Sequence, residues 1–151
     1  MILDTSAVLA VVLGEDDAAT YLAAMTSAAE LSISAATLVE CLMVAHARQG
    51  AEAEADVHAL LADLEADVRP FAEEEALAAI QCWLRFGKGR HSAGLNLGDC
   101  LSYGAAQVAG RPLLFKGDDF SQTDVPSAAE LRRTPDSGGS AHPRLGTLGQ
   151  T

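Results

Sequence analysis

The pattern of apolar and polar positions predicts short strands that alternate with longer helices. Four apolar segments have the length of strands, at residues 1–4, 31–34, 68–71 and 111–116. Segments with helical periodicity or helix-forming composition lie between them, at residues 6–13, 16–29, 34–49, 51–65, 73–86 and 99–108. Glycines at positions that would end helices are Gly14, Gly50 and Gly110, and Asp124-Val125 is predicted to add a last edge strand.

Strands that alternate with helices are typical of a parallel sheet covered by helices on both faces. We therefore predict an α/β fold with three layers, α/β/α, around a central, mostly parallel sheet. Residues 1–131 are enough for one domain with its own core. Residues 132–151 contain several Gly and Pro and few apolar side chains, which predicts a disordered tail.

Acidic residues stand where the surrounding sequence is apolar or small. Asp4 follows the first predicted strand, Glu40 interrupts an apolar helical segment, and Asp99 opens a helix. The pair Asp118-Asp119 follows the fourth strand. An ionised carboxylate in an apolar setting is unfavourable unless a cation, a proton or a donor compensates it. Because ligands bind beyond the carboxyl ends of parallel strands, the topology can bring these acids to one edge.

Each acid also has a purely structural explanation. Asp4 could cap the helix that follows it, Asp99 could be a first-turn acid favoured by the helix dipole, and Asp118-Asp119 could be turn residues. Glu40 is harder to explain in this way, because between positions 35 and 45 the only other polar side chain is Thr37. A helix that is apolar all round is buried. One geometry that accounts for every acid favours a shared site.

A gathered group of carboxylates predicts a divalent metal ion. The mutual repulsion of the acids calls for a cation, and carboxylate-bound metal ions are used to hydrolyse phosphodiesters. The four histidines show no zinc-ligand spacing. Gly98 and Gly117 precede acids of the group and would permit close approach of the backbone to a ligand.

Several polar residues near the acids could contact a phosphate. Lys88 and Arg90 belong to a basic, glycine-flanked loop, and Lys116 precedes the acidic pair. Thr5 and Ser6 could donate hydrogen bonds or support a metal-bound water. The structural alternatives are a solvated turn for the loop and ordinary helix-start residues for Thr5 and Ser6.

Composition and charge narrow the class of protein. The 151 residues are 49% hydrophobic, which excludes disorder of the whole chain. The net charge of −11 leaves no bulk basic patch of the kind that nucleic-acid-binding proteins carry. That counts against a nuclease unless the acidity belongs partly to the site and partly to a docking surface for a basic partner.

Cysteine usage and hydropathy indicate a reduced, membrane-free setting. Cys41, Cys82 and Cys100 are far apart and form no C-x-x-C pair, which argues against a disulfide framework and fits the cytosol. The apolar run at residues 7–13 is too short to span a bilayer. We expect no membrane helix and no targeting segment.

Five ordered motifs carry a family resemblance. They are ILDTSA at residues 2–7, ISAATLVE at 33–40, GKGRH at 87–91, LNLGDCLSYG at 95–104, and PLLFKGDDF at 112–120 followed by Thr123-Asp124. In this order and spacing the chain resembles the PIN-domain ribonucleases, and among them the VapC toxins of bacterial VapBC toxin–antitoxin pairs. The resemblance covers the chain from residue 1 to about residue 131.

The resemblance implies a PIN-like fold, a metal site and protein partners. The family's Mg²⁺- or Mn²⁺-binding acids match Asp4, Glu40, Asp99 and Asp119, whereas the position of Asp118 varies in the family. The resemblance also implies a homodimer and a cognate VapB-type antitoxin, together forming a heterotetramer or a larger assembly. Such an antitoxin places a basic side chain in the acidic site.

We therefore predict a cytoplasmic, metal-dependent endoribonuclease that acts as a toxin on RNA. Asp4, Asp99 and Asp119 are predicted to hold Mg²⁺ or Mn²⁺, with Glu40 and Asp118 completing the cluster directly or through water. The number of metal ions stays open.

Two other classes of protein are alternatives. A receiver-like phosphoacceptor domain would need an Asp at the end of the middle strand, and residues 68–71 contain none. A catalytically silent PIN-like binding module would be expected to have lost at least one of the acids.

Overall fold

The computed structural model describes residues 1–128 of the chain. The predicted tail at residues 132–151, and the predicted end of the domain at residue 131, lie outside the described residues. Within residues 1–128 no helix is long and apolar enough to cross a membrane. The three cysteines are buried and free.

A sheet of four parallel strands forms the centre of the fold. The strands are β1 (Ile2–Leu3), β2 (Ser32–Ser34), β3 (Asp67–Arg69) and β4 (Leu113–Leu114), in the order β3-β2-β1-β4. Ile2 is in register with Ser32 on one side and with Leu113 on the other, and all three pairings are parallel. The predicted parallel sheet is therefore confirmed, with strands that are shorter than the apolar segments indicated.

Five helices cover the sheet. They are α1 (Thr5–Val12), α2 (Ala18–Thr26), α3 (Ala35–Asp63), α4 (Glu73–Phe86) and α5 (Leu97–Ala109). The predicted bounds of α4 are reproduced, because its start is marked by three consecutive acids and its end by Gly87. The helix predicted to start at residue 99 begins two residues earlier, because Asn96 caps it.

The break predicted at Gly50 is present as a kink inside α3. Gln49 has φ −137° and ψ 15°, and Gly50 has φ 74° and ψ −161°, so neither residue is helical. The conformation of Gly50 is open almost only to glycine. A second helical stretch starts directly after it, so the predicted stop of one helix at Gly50 and start of the next are confirmed, and the kink separates the two halves of α3.

Alternate positions of the strands face opposite layers, which gives the domain two cores. Leu3 and Leu114 pack with residues of α1, α2 and α3, whereas Ile2 and Leu113 pack with residues of α4 and α5. This alternation follows from the two-residue period of a strand. The predicted three-layer α/β/α architecture is confirmed.

The prediction of a last edge strand at Asp124-Val125 is wrong. The chain after β4 forms a 3-10 helix at Asp119–Gln122, and only an isolated bridge joins Leu113 to Ser127. The Asp124 carboxylate instead accepts hydrogen bonds from Tyr103 Oη at 2.7 Å and from Arg85 at 2.8 Å. These bonds hold the segment against α4 and α5, away from a strand pairing at that position.

Candidate active site

Asp4 lies at the carboxyl end of β1 and is only 3% exposed. Its Oδ2 accepts hydrogen bonds from Ser6 N–H at 2.9 Å and Ser6 Oγ at 2.5 Å, so Asp4 caps α1. The backbone N–H of Lys116 donates to Ser6 Oγ at 2.9 Å. The capping explanation is therefore correct for Asp4, and the cap also fixes its carboxylate at the end of the central strand.

Glu40 is held between α1 and α5. Thr5 Oγ1 donates to Glu40 Oε2 at 2.7 Å. A Cβ atom added at Gly98 would overlap the Glu40 carboxylate. Gly98 was expected to allow a ligand close to the backbone, and the group that occupies that space is the Glu40 side chain.

Asp99 forms a reciprocal cap with Asn96 at the start of α5. Asp99 N–H donates to Asn96 Oδ1 at 3.1 Å, and Asn96 N–H donates to Asp99 Oδ2 at 2.7 Å. Burial is the largest cause that raises the pKa of Asp99, to about 6, and the negative charges of Asp4, Asp119 and Glu40 add to it. The hydrogen bond from Asn96 acts in the opposite direction.

These interactions bring four of the five predicted acids together. The charges of Asp4, Asp119 and Glu40 act on Asp99, and those of Asp4 and Glu40 also act on Cys41. Specifically, burial followed by the charges of Asp4 and Glu40 raises the pKa of the Cys41 thiol to about 12. Asp4 and Glu40 therefore lie near Asp99 at the carboxyl edge of the sheet, close to the starts of α1 and α5, and the charge of Asp119 reaches Asp99 from the 3-10 helix.

Asp118 is the predicted acid for which no link to this group is observed. It is exposed, it precedes the 3-10 helix, and its side chain makes no capping hydrogen bond there. Asp119 is also exposed, in the first turn of that helix. Asp119, rather than its neighbour, is the member of the pair whose charge reaches Asp99.

The donor set suits a hard cation, although it is not arranged as a finished coordination shell. Within residues 1–128, no three His, Cys, Asp or Glu side chains form a ready metal-binding group. Asp4 Oδ2, Glu40 Oε2 and Asp99 Oδ2 each accept hydrogen bonds, whereas the second oxygen of each accepts none from the described part of the chain. Three carboxylates with one uncommitted oxygen each are the kind of ligand that Mg²⁺ and Mn²⁺ prefer.

The predicted phosphate-binding residues fall into two environments. Lys116 Nζ contacts Glu15 Oε2 and Asp17 Oδ1, both at 2.6 Å, so in this structure it ties the end of β4 to the turn between α1 and α2. Lys88 and Arg90 are exposed on the loop between α4 and α5 and have no carboxylate partner among residues 1–128. Their role toward a substrate stays a prediction.

The basic loop lies against the segment that carries Asp119. Ser92 Oγ donates to Gln122 Oε1 at 2.5 Å, which joins the loop to the 3-10 helix. The guanidinium of Arg90 stacks 3.9 Å from the ring centre of Trp83. The loop is thus bonded to the 3-10 helix that contains Asp119.

Two polar features of the site escaped the sequence analysis. Asn96 stands three residues before Asp99, which is the spacing of a capping box and could have been found. A chain of buried hydroxyls, Ser34, Thr37 and Ser102, joins β2, α3 and α5. The pairing of Thr37 with Ser102 joins residues 65 positions apart, so no local signal could have indicated it.

Comparison with known proteins places this geometry in a family. A family model described as PIN domain matches residues 1–126. The chain is 46% identical over 126 residues to the VapC ribonuclease Mb2004c of Mycobacterium bovis, covering 83% of this chain and 91% of the relative. It is 40% identical over 129 residues to ribonuclease VapC30 of Mycobacterium tuberculosis, covering 85% of this chain and 98% of the relative.

A solved structure has the same fold. The crystal structure of VapC20 of Mycobacterium tuberculosis, described as a toxin that cleaves the sarcin–ricin loop, superposes with a TM-score of 0.68. The match covers 82% of this chain and 95% of the other, at 17% sequence identity. At that identity the likeness supports the fold and not the substrate.

Proposed function

The chain belongs to the PIN-domain family and, within it, to the VapC ribonucleases, and from that premise we propose that it is a metal-dependent endoribonuclease. It acts as the toxin of a toxin–antitoxin pair and hydrolyses phosphodiester bonds of RNA in the cytoplasm. The family supports the ribonuclease class. The dependence on Mg²⁺ or Mn²⁺ and the roles of individual residues rest on the site described above.

The observation that carries the proposal is the uncompensated charge around Asp99. The charges of Asp4, Glu40 and Asp119 raise the pKa of Asp99, and no Lys or Arg of residues 1–128 forms an ion pair with any of these four acids. Lys116, the nearest candidate counter-ion in sequence, is engaged by Glu15 and Asp17. Clustered carboxylates without a neutralising side chain favour binding of a divalent cation.

In this proposal Asp4, Asp99 and Asp119 hold Mg²⁺ or Mn²⁺, and Glu40 and Asp118 complete the group directly or through water. A divalent cation bound there would lower the pKa of a water molecule and stabilise negative charge on the phosphate. Glu40 is oriented by Thr5 with its second oxygen uncommitted, which suits it to accept a proton. Ser6 holds the Asp4 carboxylate in place.

The RNA backbone is bound by the loop between α4 and α5. Lys88 and Arg90 have no carboxylate partner among the described residues, and the loop contacts the 3-10 helix next to Asp119. Cations at this position would attract the phosphates on either side of the bond to be cut. Thr5, Ser6 and Lys116 are assigned supporting roles in substrate binding.

Two protein partners complete the proposal. A VapB-type antitoxin would inhibit the enzyme by placing a basic side chain among the acids, which the excess negative charge there favours. A second copy of the chain would form a homodimer, so that toxin and antitoxin assemble as a heterotetramer or larger.

A cleavage assay on purified protein tests the proposed function. With a structured cellular RNA as substrate, we expect cleavage with added Mg²⁺ or Mn²⁺ and none with EDTA. Asp4→Asn keeps the cap geometry but removes a charge, and should lower the rate by about a hundredfold or more, since even outer-shell partners of metal sites cost 10- to 100-fold.

Asp56→Asn is the matched control, because Asp56 is exposed on α3. This variant should cleave RNA as the wild type does. Cleavage that persists in EDTA would contradict the proposed dependence on a divalent metal ion. Binding of Mn²⁺ without any cleavage would favour the catalytically silent binding module.

A further inference from the structure

A continuous chain of hydroxyl groups runs through the buried interior beside the acids. Ser34 Oγ donates to Thr37 Oγ1 at 2.9 Å, and Thr37 Oγ1 lies 3.2 Å from Ser102 Oγ. Thr37 and Ser102 are completely buried and Ser34 almost so. The chain therefore joins β2 to α3 and α3 to α5 in a place where water does not compete.

The hydroxyl pair lies one helical turn from two of the acids. Thr37 is three residues before Glu40 on α3, and Ser102 is three residues after Asp99 on α5. Residues three apart on a helix share a face. The bond between Thr37 and Ser102 thus clamps the two helices directly beneath the two carboxylates.

Helices α3 and α5 are closely packed where Glu40 meets Gly98, next to this bond. The Glu40 carboxylate fills the space that a side chain at position 98 would take, and Thr5 holds its Oε2 at 2.7 Å. A shift of α5 relative to α3 would move Asp99 away from Glu40 or press Gly98 against it. The separation of the carboxylates therefore depends on how closely the helices are clamped.

We propose that Thr37 and Ser102 are positioning residues whose hydrogen bond sets the distance between Glu40 and Asp99, and thereby the affinity of the acidic group for a divalent cation. The inference rests on the proposed function for its metal. Packing alone does not account for Ser102, because an alanine would fill nearly the same volume on this buried face. Ser34 and Thr37 also bond to each other without it.

The experiment compares three variants with the wild type by titration calorimetry with Mn²⁺. Ser102→Ala and Thr37→Val remove the bond while keeping nearly the same volume. Each should weaken Mn²⁺ binding by about tenfold, as does the loss of other side chains that orient metal-binding residues by hydrogen bonds. Thr37→Ser keeps the hydroxyl and should bind Mn²⁺ as the wild type does.

Ser102→Ala and Thr37→Val should also lower kcat for RNA cleavage more than they change KM, whereas Thr37→Ser should not. Substrate binding by the loop between α4 and α5 does not depend on the Thr37–Ser102 bond.

Val57→Ala provides the control for a loss of stability. Val57 is fully buried in the half of α3 beyond the kink, so its truncation should lower the melting temperature but leave Mn²⁺ affinity unchanged. Unaltered Mn²⁺ binding by both Ser102→Ala and Thr37→Val would overturn the proposal. A loss of affinity in Val57→Ala equal to theirs would do the same.

A metal-free measurement separates this inference from the proposed function. In EDTA, Glu40→Gln should raise the melting temperature, because it removes repulsion from Asp99. The rise should be smaller in a Ser102→Ala background, where the carboxylates are no longer clamped together. If the wild-type protein binds no Mn²⁺, the proposed metal site is rejected. If Glu40→Gln raises the melting temperature equally in the wild-type and Ser102→Ala proteins, the positioning role of Thr37 and Ser102 is rejected.

Discussion

Asp99 shows how one residue can serve the fold and the chemistry together. Its Oδ2 caps α5 through Asn96, while burial and three neighbouring acids raise its pKa to about 6. A carboxyl group with this pKa is ionised at neutral pH at a cost to stability. That cost is the free energy which a bound cation would relieve.

The raised pKa predicts how stability depends on pH in metal-free protein. Between about pH 4 and pH 6 the folded state binds more protons at Asp99 than the unfolded state does, so unfolding free energy should fall as the pH rises through this window. Above pH 6 the loss is complete. Asp99→Asn should therefore be about 1–2 kcal/mol more stable at pH 7, a value reduced for partial solvent exposure, and equal to wild type near pH 4.

Urea denaturation in EDTA from pH 4 to pH 8 measures this difference. Asp56→Asn is exposed and should follow the wild-type profile. Parallel profiles for Asp99→Asn and the wild type through pH 4–6 would show that the acids do not repel one another as described.

Most of the acids of the site could be predicted from the sequence, but not all of the hydrogen bonds that orient their carboxylates could be. Asp4, Glu40 and Asp99 stand out because a charge in apolar sequence is unusual. Thr5 and Ser6 were predicted to donate hydrogen bonds or support a metal-bound water near a substrate, with ordinary helix-start residues as the alternative. The bond from Ser6 to Asp4 is local, whereas the bond from Thr5 to Glu40 depends on tertiary structure. Lys116 was predicted to contact a phosphate, and its ion pairs with Glu15 and Asp17 could not be foreseen, because no local pattern indicates their approach.

Helix α4 has an exposed apolar face. Leu77, Ile80 and Leu84 lie on one side of it and are 59%, 45% and 46% exposed. A groove of about 450 Å³ beside this face is lined by Phe71, Trp83 and Leu101 among others. Contiguous apolar surface of this kind marks protein contacts, and such a patch can pair with its own copy across a two-fold axis.

The α4 face is therefore predicted to form the proposed homodimer. Ile80→Glu would bury an unpaired charge in the interface and should convert a dimer to a monomer, as measured by light scattering coupled to gel filtration. Leu22→Glu is the matched control, since Leu22 is an exposed leucine on α2. A monomeric wild type, or an Ile80→Glu variant that remains dimeric, would contradict this assignment.

The elements differ in how well their local sequence determined them. Helix α4 was predicted residue by residue, because acids at its start and glycine after its end are local signals. The strand predicted at Asp124-Val125 does not form, because the Asp124 carboxylate accepts hydrogen bonds from Arg85 of α4 and Tyr103 of α5. Short strands such as β1 are set by pairing with their neighbours rather than by the apolar run alone.

At the scale of the whole molecule, a net charge of −11 must be reconciled with binding of a polyanion. Four Lys and Arg side chains of residues 1–128 pair with carboxylates, namely Arg48, Arg85, Arg111 and Lys116. Within the same range, Arg69, Lys88 and Arg90 have no such partner. RNA binding should therefore use few ionic contacts and depend weakly on salt.

A salt titration measures this number of contacts. In an Asp4→Asn background that prevents cleavage, the logarithm of the RNA association constant should fall with the logarithm of salt concentration at a slope of about −1.4 for two phosphate contacts. Lys88→Ala should reduce the slope by about 0.7, as followed by fluorescence anisotropy of a labelled single strand. Arg69→Ala is the control and should keep the wild-type slope, because Arg69 lines a different, polar cavity with Arg111. An identical slope for Lys88→Ala and the wild type would show that the loop does not bind the RNA backbone.

The kink at Gly50 has a consequence for how α3 can serve two surroundings. In an unbroken helix each residue is rotated by about 100° from the one before it. The direction in which Glu40 points would then fix which side chains about twenty residues later face the interior. The break at Gln49 and Gly50 resets that phase. The early half of α3 can aim Glu40 at its neighbours while the late half independently turns Val57 and Leu61 into the interior.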